Sequence, residues 1–333
     1  MLRDRLRTFP SYFQPFDWHH MAVCVPGMIA CLLYGLITHD TISAAIGAGA
    51  AFSVGFGLRR QRKFRSMAGA VALMTAATLV GSFTGSHFIL FVLLAAAAAA
   101  GCACLALVDE DIWWVALQAT IALLVASHYA GSPKAAWVRS SIVLGAGVAQ
   151  MLLVLLIDRL IPRGHPKPVA NIPIPATSRA MAIYGLVSAV SVAGALLVAY
   201  GLRLDKAYWA PMTALIVLKP KFHLTRQRGW ERLLGNLAGC SAAIVVTLVL
   251  PPVQWFDCVL LILSAGASYA LLKARYAAFS LAVSFTAMML LYTAHASAVQ
   301  GAEQRLYATA IGGLVAMAVM WAASRTVAKD YRI

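Results

Sequence analysis

The sequence predicts an all-α integral membrane protein with about twelve transmembrane helices, arranged as two parallel six-helix repeats with both termini cytoplasmic. Three observations lead there: the composition, the spacing of the apolar runs, and the recurrence of landmark residues at one offset. The 333 residues are 61% hydrophobic and 12% charged, with a mean hydropathy of +0.79, whereas soluble domains carry about 25% charged residues. A bilayer core takes about 20 apolar residues per helix, so this length holds roughly a dozen spans and no large soluble domain.

Residues 1–19 form a cytoplasmic or interfacial lead-in: Arg3, Arg5 and Arg7 precede no apolar core before Met21, so no cleavable signal peptide is expected. The first repeat covers 20–160, with apolar segments near 20–38, 41–58, 66–84, 87–108, 112–130 and 139–158. A Pro-rich cytoplasmic linker, 161–179, follows. The second repeat, 180–326, has segments near 180–202, 207–218, 231–250, 255–272, 276–295 and 305–324, and 327–333 form a cytoplasmic tail. The segment 207–218 is short and contains Pro211, as a broken or half helix would.

Landmarks tie the two sets together. Tyr34, Gly35 and Leu36 recur as Tyr200, Gly201 and Leu202; Asp40 recurs as Asp205, Arg65 as Arg232, His128 as His295, Arg139 as Arg305 and Arg159 as Arg325. All are separated by 165 to 167 residues. The net charge of +15 is read by position, because lysines and arginines of membrane proteins collect on the cytoplasmic side. With a cytoplasmic amino terminus and twelve crossings, 22 of the 27 basic residues fall inside and only Lys134, Arg139, Arg203, Lys206 and Arg305 outside. Both copies place a heavy basic loop after their second span on one side. That requires an even number of spans per unit, hence parallel repeats about an axis along the membrane normal.

The stretch from Tyr208 to Gly239, YWAPMTALIVLKPKFHLTRQRGWERLLGNLAG, resembles the fusaric acid resistance (FUSC) family of bacterial inner-membrane proteins, which includes aromatic acid exporters. Tyr208, Trp209, Ala210, Pro211, Thr213, Ala214, Lys219 and Pro220 match or nearly match its first part; Thr225, Arg232, Leu234, Gly235, Leu237 and Gly239 match its second. Tyr276, Ala277, Phe285 and Thr286 resemble the penultimate span, and Arg305, Gly312 and Gly313 the last. The resemblance covers roughly 180–325. Lys219 stands where the family commonly has Gln, Asn236 replaces a Thr, and the large cytoplasmic domain of many members is missing between the halves. A more distant similarity links the chain to plant aluminium-activated malate transporters.

The resemblance implies an inner-membrane secondary exporter of aromatic or other organic acids, driven by the proton motive force. Its expected partners are an organic anion substrate, anionic lipids, a periplasmic membrane-fusion protein and a homo-oligomeric copy; no nucleic acid and no cofactor are expected. A passive organic-anion channel and a non-transporting assembly subunit remain as alternatives. The chain contains no P-loop for ATP hydrolysis. It also places no carboxylate at the middle of a span, where the polar residues are Gln118, Gln150 and Asn236, which disfavours a carboxylate-centred cation exchanger. An intramembrane enzyme is disfavoured by the lack of paired aspartates or a His-Asp motif at helical spacing.

An organic anion in a low-dielectric path needs positive charge along it. Arg139 and Arg305 each begin the sixth span of a repeat on the outer side, where they either line the path or snorkel to headgroups. Lys206 with Tyr208 and Trp209 either attracts a carboxylate and stacks its ring, or anchors the boundary. Arg232 stands beside a Gly235/Gly239 face suited to close helix packing, and the basic loop around it serves topology and anionic-lipid contact. His128 and His295, at outer ends of the fifth spans, are proton-relay candidates. Asp109, Glu110 and Asp111 read as a solvated helix start beside Trp113 and Trp114. The six cysteines read as small core residues, with metal or disulfide roles as the alternative.

Overall fold

The computed structural model describes residues 10–161, 177–250, 253–295 and 297–326. Residues 1–9 of the lead-in, 162–176 of the linker and the tail 327–333 lie outside the described residues. Thirteen α-helices of seven or more residues follow one another among the described residues: α1 (Trp18–Cys24), α2 (Pro26–Thr38), α3 (Thr41–Gly55), α4 (Lys63–Thr84), α5 (Phe88–Ala106), α6 (Glu110–His128), α7 (Pro133–Leu160), α8 (Ser178–Gly201), α9 (Trp209–Val217), α10 (Phe222–Val249), α11 (Gln254–Ala270), α12 (Tyr276–Thr293) and α13 (Ala298–Thr326). Ten helical segments are long and apolar enough to cross a bilayer, counting α1 with α2 as one. The two short ones are α9, with 9 residues, and α11, with 17. At 1.5 Å per residue they span about 14 Å and about 26 Å, against a hydrocarbon core of about 30 Å.

Side chains at the boundaries explain where helices start. Asp17, Asp40, Asp109 and Thr177 each accept a hydrogen bond from a backbone N–H of the first turn of α1, α3, α6 and α8, pairing donors that the helix leaves open. Asp40, expected near the first outer loop, is thus the cap of α3, accepting from Ser43 N at 3.0 Å. Between α1 and α2, Pro26 interrupts the backbone ladder. Gln150 Nε2 donates to the Cys24 carbonyl beside that break at 2.7 Å, giving this mid-span amide a structural task.

The helices form two compact units. Unit 1 comprises Met1–Leu58, Ala146–Gly164 and Glu231–Leu306; unit 2 comprises Arg59–Gly145, His165–Trp230 and Tyr307–Ile333. In unit 1, α2 packs on α3, α11 on α12, and α11 also on α1 and α2. Here the first two apolar segments of the amino-terminal half meet the fourth and fifth of the carboxyl-terminal half. In unit 2, α8 packs on α9, α5 on α6, α4 on α6, and α5 also on α8, so the same segment numbers meet with the halves exchanged. Each unit has a buried apolar core, around Met28, Val54, Leu261 and Met289 in the first and Phe91, Ala95, Leu124 and Leu196 in the second. Large aliphatic side chains also point outward: Ile37 is 77% exposed, Ile89 76% and Leu248 72%. A water-facing surface would not carry such chains in number, whereas lipid tails solvate them.

Small residues let helix backbones approach. In unit 2 a Cβ on Gly81 would lie 2.5 Å from the Leu123 carbonyl oxygen, so α4 lies directly against α6. In unit 1 a Cβ on Gly235 would lie 2.5 Å from the Ala277 carbonyl oxygen and 2.6 Å from Ser280 Cβ, so α10 lies equally close to α12. At the next residue, Asn236 Oδ1 accepts from Ser280 Oγ at 3.2 Å and from Ser284 Oγ. The Gly235/Gly239 face packs as the sequence reading expected. Gly235→Ala should therefore destabilise the protein by about 1–3 kcal/mol, seen as a lower melting temperature in detergent. Gly101→Ala, where a Cβ meets nothing within 4 Å, should leave it unchanged or raise it.

Candidate functional site

Helix α9 ends where the sequence forces it to end. Pro220 cannot donate to a helix and pushes the residue before it towards extended backbone. Leu218 has already left the helix, with φ −60° and ψ 130°. Pro211, in the first turn, is tolerated because that turn has no intrahelical partner for its N–H. Every residue of α9 except Ile216 is buried, so the backbone released at its end is largely shielded from water. Two hydroxyls of unit 2 take over. Tyr184 Oη donates to the Leu218 carbonyl at 3.3 Å. Thr225 Oγ1 accepts from Lys219 N–H at 2.9 Å and donates to the Lys219 carbonyl at 3.0 Å, closing the turn with one fully buried side chain.

That turn presents Lys219 to a cavity of about 240 Å3 within unit 2, lined among others by Cys102 and Ala103 of α5, Glu110 and Trp113 of α6, Tyr184 and Ser188 of α8, and Leu215 and Leu218 beside the lysine. Lys219 Nζ stands over the Trp113 ring, 5.4 Å from its centroid. Burial, reinforced by Arg228, lowers the Lys219 ammonium from 10.5 to about 8, while Glu110 and Cys102 pull the other way. Glu110 is itself held by Arg60 Nη1 at 2.8 Å, so its charge is shared. The cavity thus offers a desolvated cation beside an indole face. Ligand pockets for drug-sized molecules run about 300–1,000 Å3, so this smaller space suits a single-ring carboxylate.

The acidic start of α6 is more than a solvated helix end. Asp111 is buried and accepts from Gln61 N at 3.2 Å and Arg62 N at 2.8 Å, while Asp109 pairs with Arg62 Nη2. The turn at 59–62, the start of α6 and the Lys219 turn therefore share one end of unit 2. Charge counting assigned all three to the same side.

The sequence-designated residues fall in several places. At the other end of α9, unit 2 brings four of them together. The His128 and Tyr208 rings are 5.2 Å apart, those of Tyr208 and Trp209 5.4 Å apart, and the charge of Lys206 acts on His128. Lys206 is half-buried, and burial lowers its ammonium below the ordinary lysine value, with Asp205 opposing. Tyr208 and Trp209 are both buried, so neither is an interfacial anchor open to solvent. Arg139, also in unit 2, turns back on the backbone, donating to the Ala135 carbonyl at 3.2 Å and to the Tyr129 carbonyl at the end of α6. Arg305 is buried in unit 1. Arg232, in unit 1, is also buried and donates from Nη1 to Tyr276 Oη at 3.1 Å; it belongs to the α10–α12 contact rather than to an open basic loop. His295 is exposed in unit 1 with φ 62°, just past α12. All six cysteines are free.

Lys219 itself escaped notice as a site residue because five basic residues surround one another in that loop. The available signal was its position before Pro220, where the family commonly has an uncharged amide. A lysine with a lowered value in the fold disfavours folding while it is charged: the penalty is complete below pH 8, fades through pH 8–10.5 and vanishes above. Lys219→Gln should accordingly stabilise the protein at pH 7, by at most about 3 kcal/mol. Melting curves in detergent at pH 7 and pH 10.5 should show that advantage at the first and its loss at the second.

Residues 192–319 match the family described as fusaric acid resistance protein-like. No curated protein and no solved structure matches the chain. The matched segment runs from within α8, through α9 and the Lys219 turn, into α13, and so includes the turn on which the cavity is built. The chain's likeness to the fusaric acid resistance protein-like family thus spans residues 192–319.

Proposed function

We propose that this protein is a bacterial inner-membrane secondary transporter that exports aromatic or other small organic acids, driven by the proton motive force. The observation that carries this reading is Lys219 over the Trp113 ring in a cavity of mixed lining, with Ala103, Leu215 and Leu218 as its apolar wall. A carboxylate leaving water needs a paired charge, and an aromatic ring needs an apolar face. The family match and ten apolar helical segments support a membrane transporter. Export is supported by the cavity's position at the end of unit 2 that carries the basic residues, the end expected to face the cytoplasm. On this reading the chain crosses twelve times as two parallel repeats with cytoplasmic termini, α9 and α11 completing the count, and the exchanged pairing of segments in the two units supports it.

The substrate route runs along α9, from Lys219 at its inner end to Lys206, Tyr208 and Trp209 at its outer end. His128 lies beside the outer cluster and is the better placed proton relay; His295 is its repeat counterpart. Arg139, whose guanidinium reaches the Tyr129 carbonyl next to His128, adds positive charge at that end of unit 2; Arg305 and Arg232 are buried in unit 1, where Arg232 holds the third and fifth helices of its repeat in register.

Flux of radiolabelled benzoate and salicylate into and out of proteoliposomes tests the reading. The expected result is saturable transport that an imposed proton gradient accelerates and a protonophore abolishes, reduced at least tenfold by Lys219→Gln. Flux indifferent to the proton gradient would identify a passive channel, and no flux from correctly inserted protein would identify a non-transporting subunit.

A further inference from the structure

Lys219 and its cavity have a counterpart in unit 1 built from the same segment numbers, and the two places are filled differently. Trp113 and Phe279, Ala103 and Tyr269, and Leu218 and Phe52 each stand 166 residues apart in sequence. In unit 2 the first two of these positions, with Leu218, line open space. In unit 1 they close it. Tyr269 is fully buried, with its ring centroid 5.4 Å from Phe52, 4.8 Å from Phe56 and 5.4 Å from His20. Phe56 is in turn 5.9 Å from Phe279. The Tyr269 hydroxyl donates to the Phe52 carbonyl at 2.9 Å. It thereby takes in unit 1 the role that Tyr184 plays towards the Leu218 carbonyl in unit 2. The backbone group is capped in both units, but in unit 1 the phenol doing so arrives through the space that would otherwise be a cavity.

We infer that each chain holds one carboxylate site, formed by Lys219 and Trp113 in unit 2, and that Tyr269 with its ring neighbours seals the corresponding place in unit 1. The ligand class rests on the transport reading; the count of sites rests on the packing. The residue at the Ala103/Tyr269 position decides whether a site exists: alanine leaves room above the lysine, and tyrosine fills it. Position 53, the counterpart of Lys219, is Ser53, so unit 1 lacks the cation as well as the space.

The groups that bear on Lys219 set how binding responds to pH. Glu110 on α6, Cys102 on α5 and Arg228 on α10 act on its charge, and Tyr184 on α8 lines the same cavity. Arg60 restrains Glu110, which leaves the ammonium available to an incoming carboxylate. Binding needs the protonated amine, so affinity should be level below pH 8 and fall about tenfold per unit above it.

Equilibrium dialysis of radiolabelled benzoate and salicylate against the purified full-length protein in detergent tests the inference. The expected result is one bound acid per chain at pH 7, weakened about tenfold at pH 9. Ala103→Tyr and Lys219→Gln should each weaken it at least tenfold, while Tyr269→Phe, which keeps the ring, leaves it unchanged. Lys219→Gln adds no volume, so it reads the site even if Ala103→Tyr fails to fold. Two bound acids per chain, saturable binding of neither acid, or wild-type affinity in Lys219→Gln would each overturn the single site. Vesicle flux separates the two readings: one bound acid without flux retains the site and removes transport, whereas flux and affinity undisturbed by Lys219→Gln retain transport and remove the site.

Discussion

A helix too short to span the hydrocarbon by its own length must pair its released backbone groups inside protein, because lipid offers no partner. Helix α9 meets this constraint with nine residues, nearly all buried, and with hydroxyls from α8 and α10. The rest of unit 2 follows from it. Tyr184 and Thr225 hold the Lys219–Pro220 turn still, the turn aims a lysine inward, and the missing helical length leaves room for a cavity rather than packed side chains. The same short helix sets two charged or aromatic clusters at its two ends, one around Trp209 and one around Lys219.

Close backbone approach is the second constraint, and it explains the distribution of small residues. Lipid tails are as apolar as leucine, so helices gain little from burying apolar surface against each other and rely on fit. Gly81 against Leu123 and Gly235 against Ala277 bring the third segment of each half onto its fifth. Buried polar side chains sit where those contacts leave backbone or hydroxyl groups to satisfy: Asn236 between Ser280 and Ser284, and Gln150 at the Pro26 break. Neither Asn236 nor Gln150 lines the cavity at Lys219, so both serve packing.

Much of the architecture was legible in sequence. The apolar runs locate nearly all the helices, Pro211 and the short run after it foretell the half helix, and glycine spacing foretells the α10–α12 contact. The site was less legible. Tyr208 and Trp209 look like interfacial anchors by residue type, yet both are buried, and His128 joins them only because α6 and the α8–α9 loop end together in unit 2. Arg232 reads as standing beside a packing face, but only the fold shows its guanidinium reaching Tyr276 on another helix. Asp111 reads as solvated, whereas it is buried under the backbone of the 59–62 turn.

The sequence by itself determined the class of protein, its helices and the family likeness of residues 192–319. All of these depend on residue type and linear spacing, which hydropathy and backbone chemistry convert directly into structure. Tertiary structure alone decided which lysine matters and which of two corresponding places stays open. Lys219 is set apart from its basic neighbours by standing over the Trp113 ring in a cavity, and that setting is a property of what distant helices bring to it. Ala103 and Tyr269 differ in sequence like any two residues; only packing makes one of them a cavity wall and the other a plug.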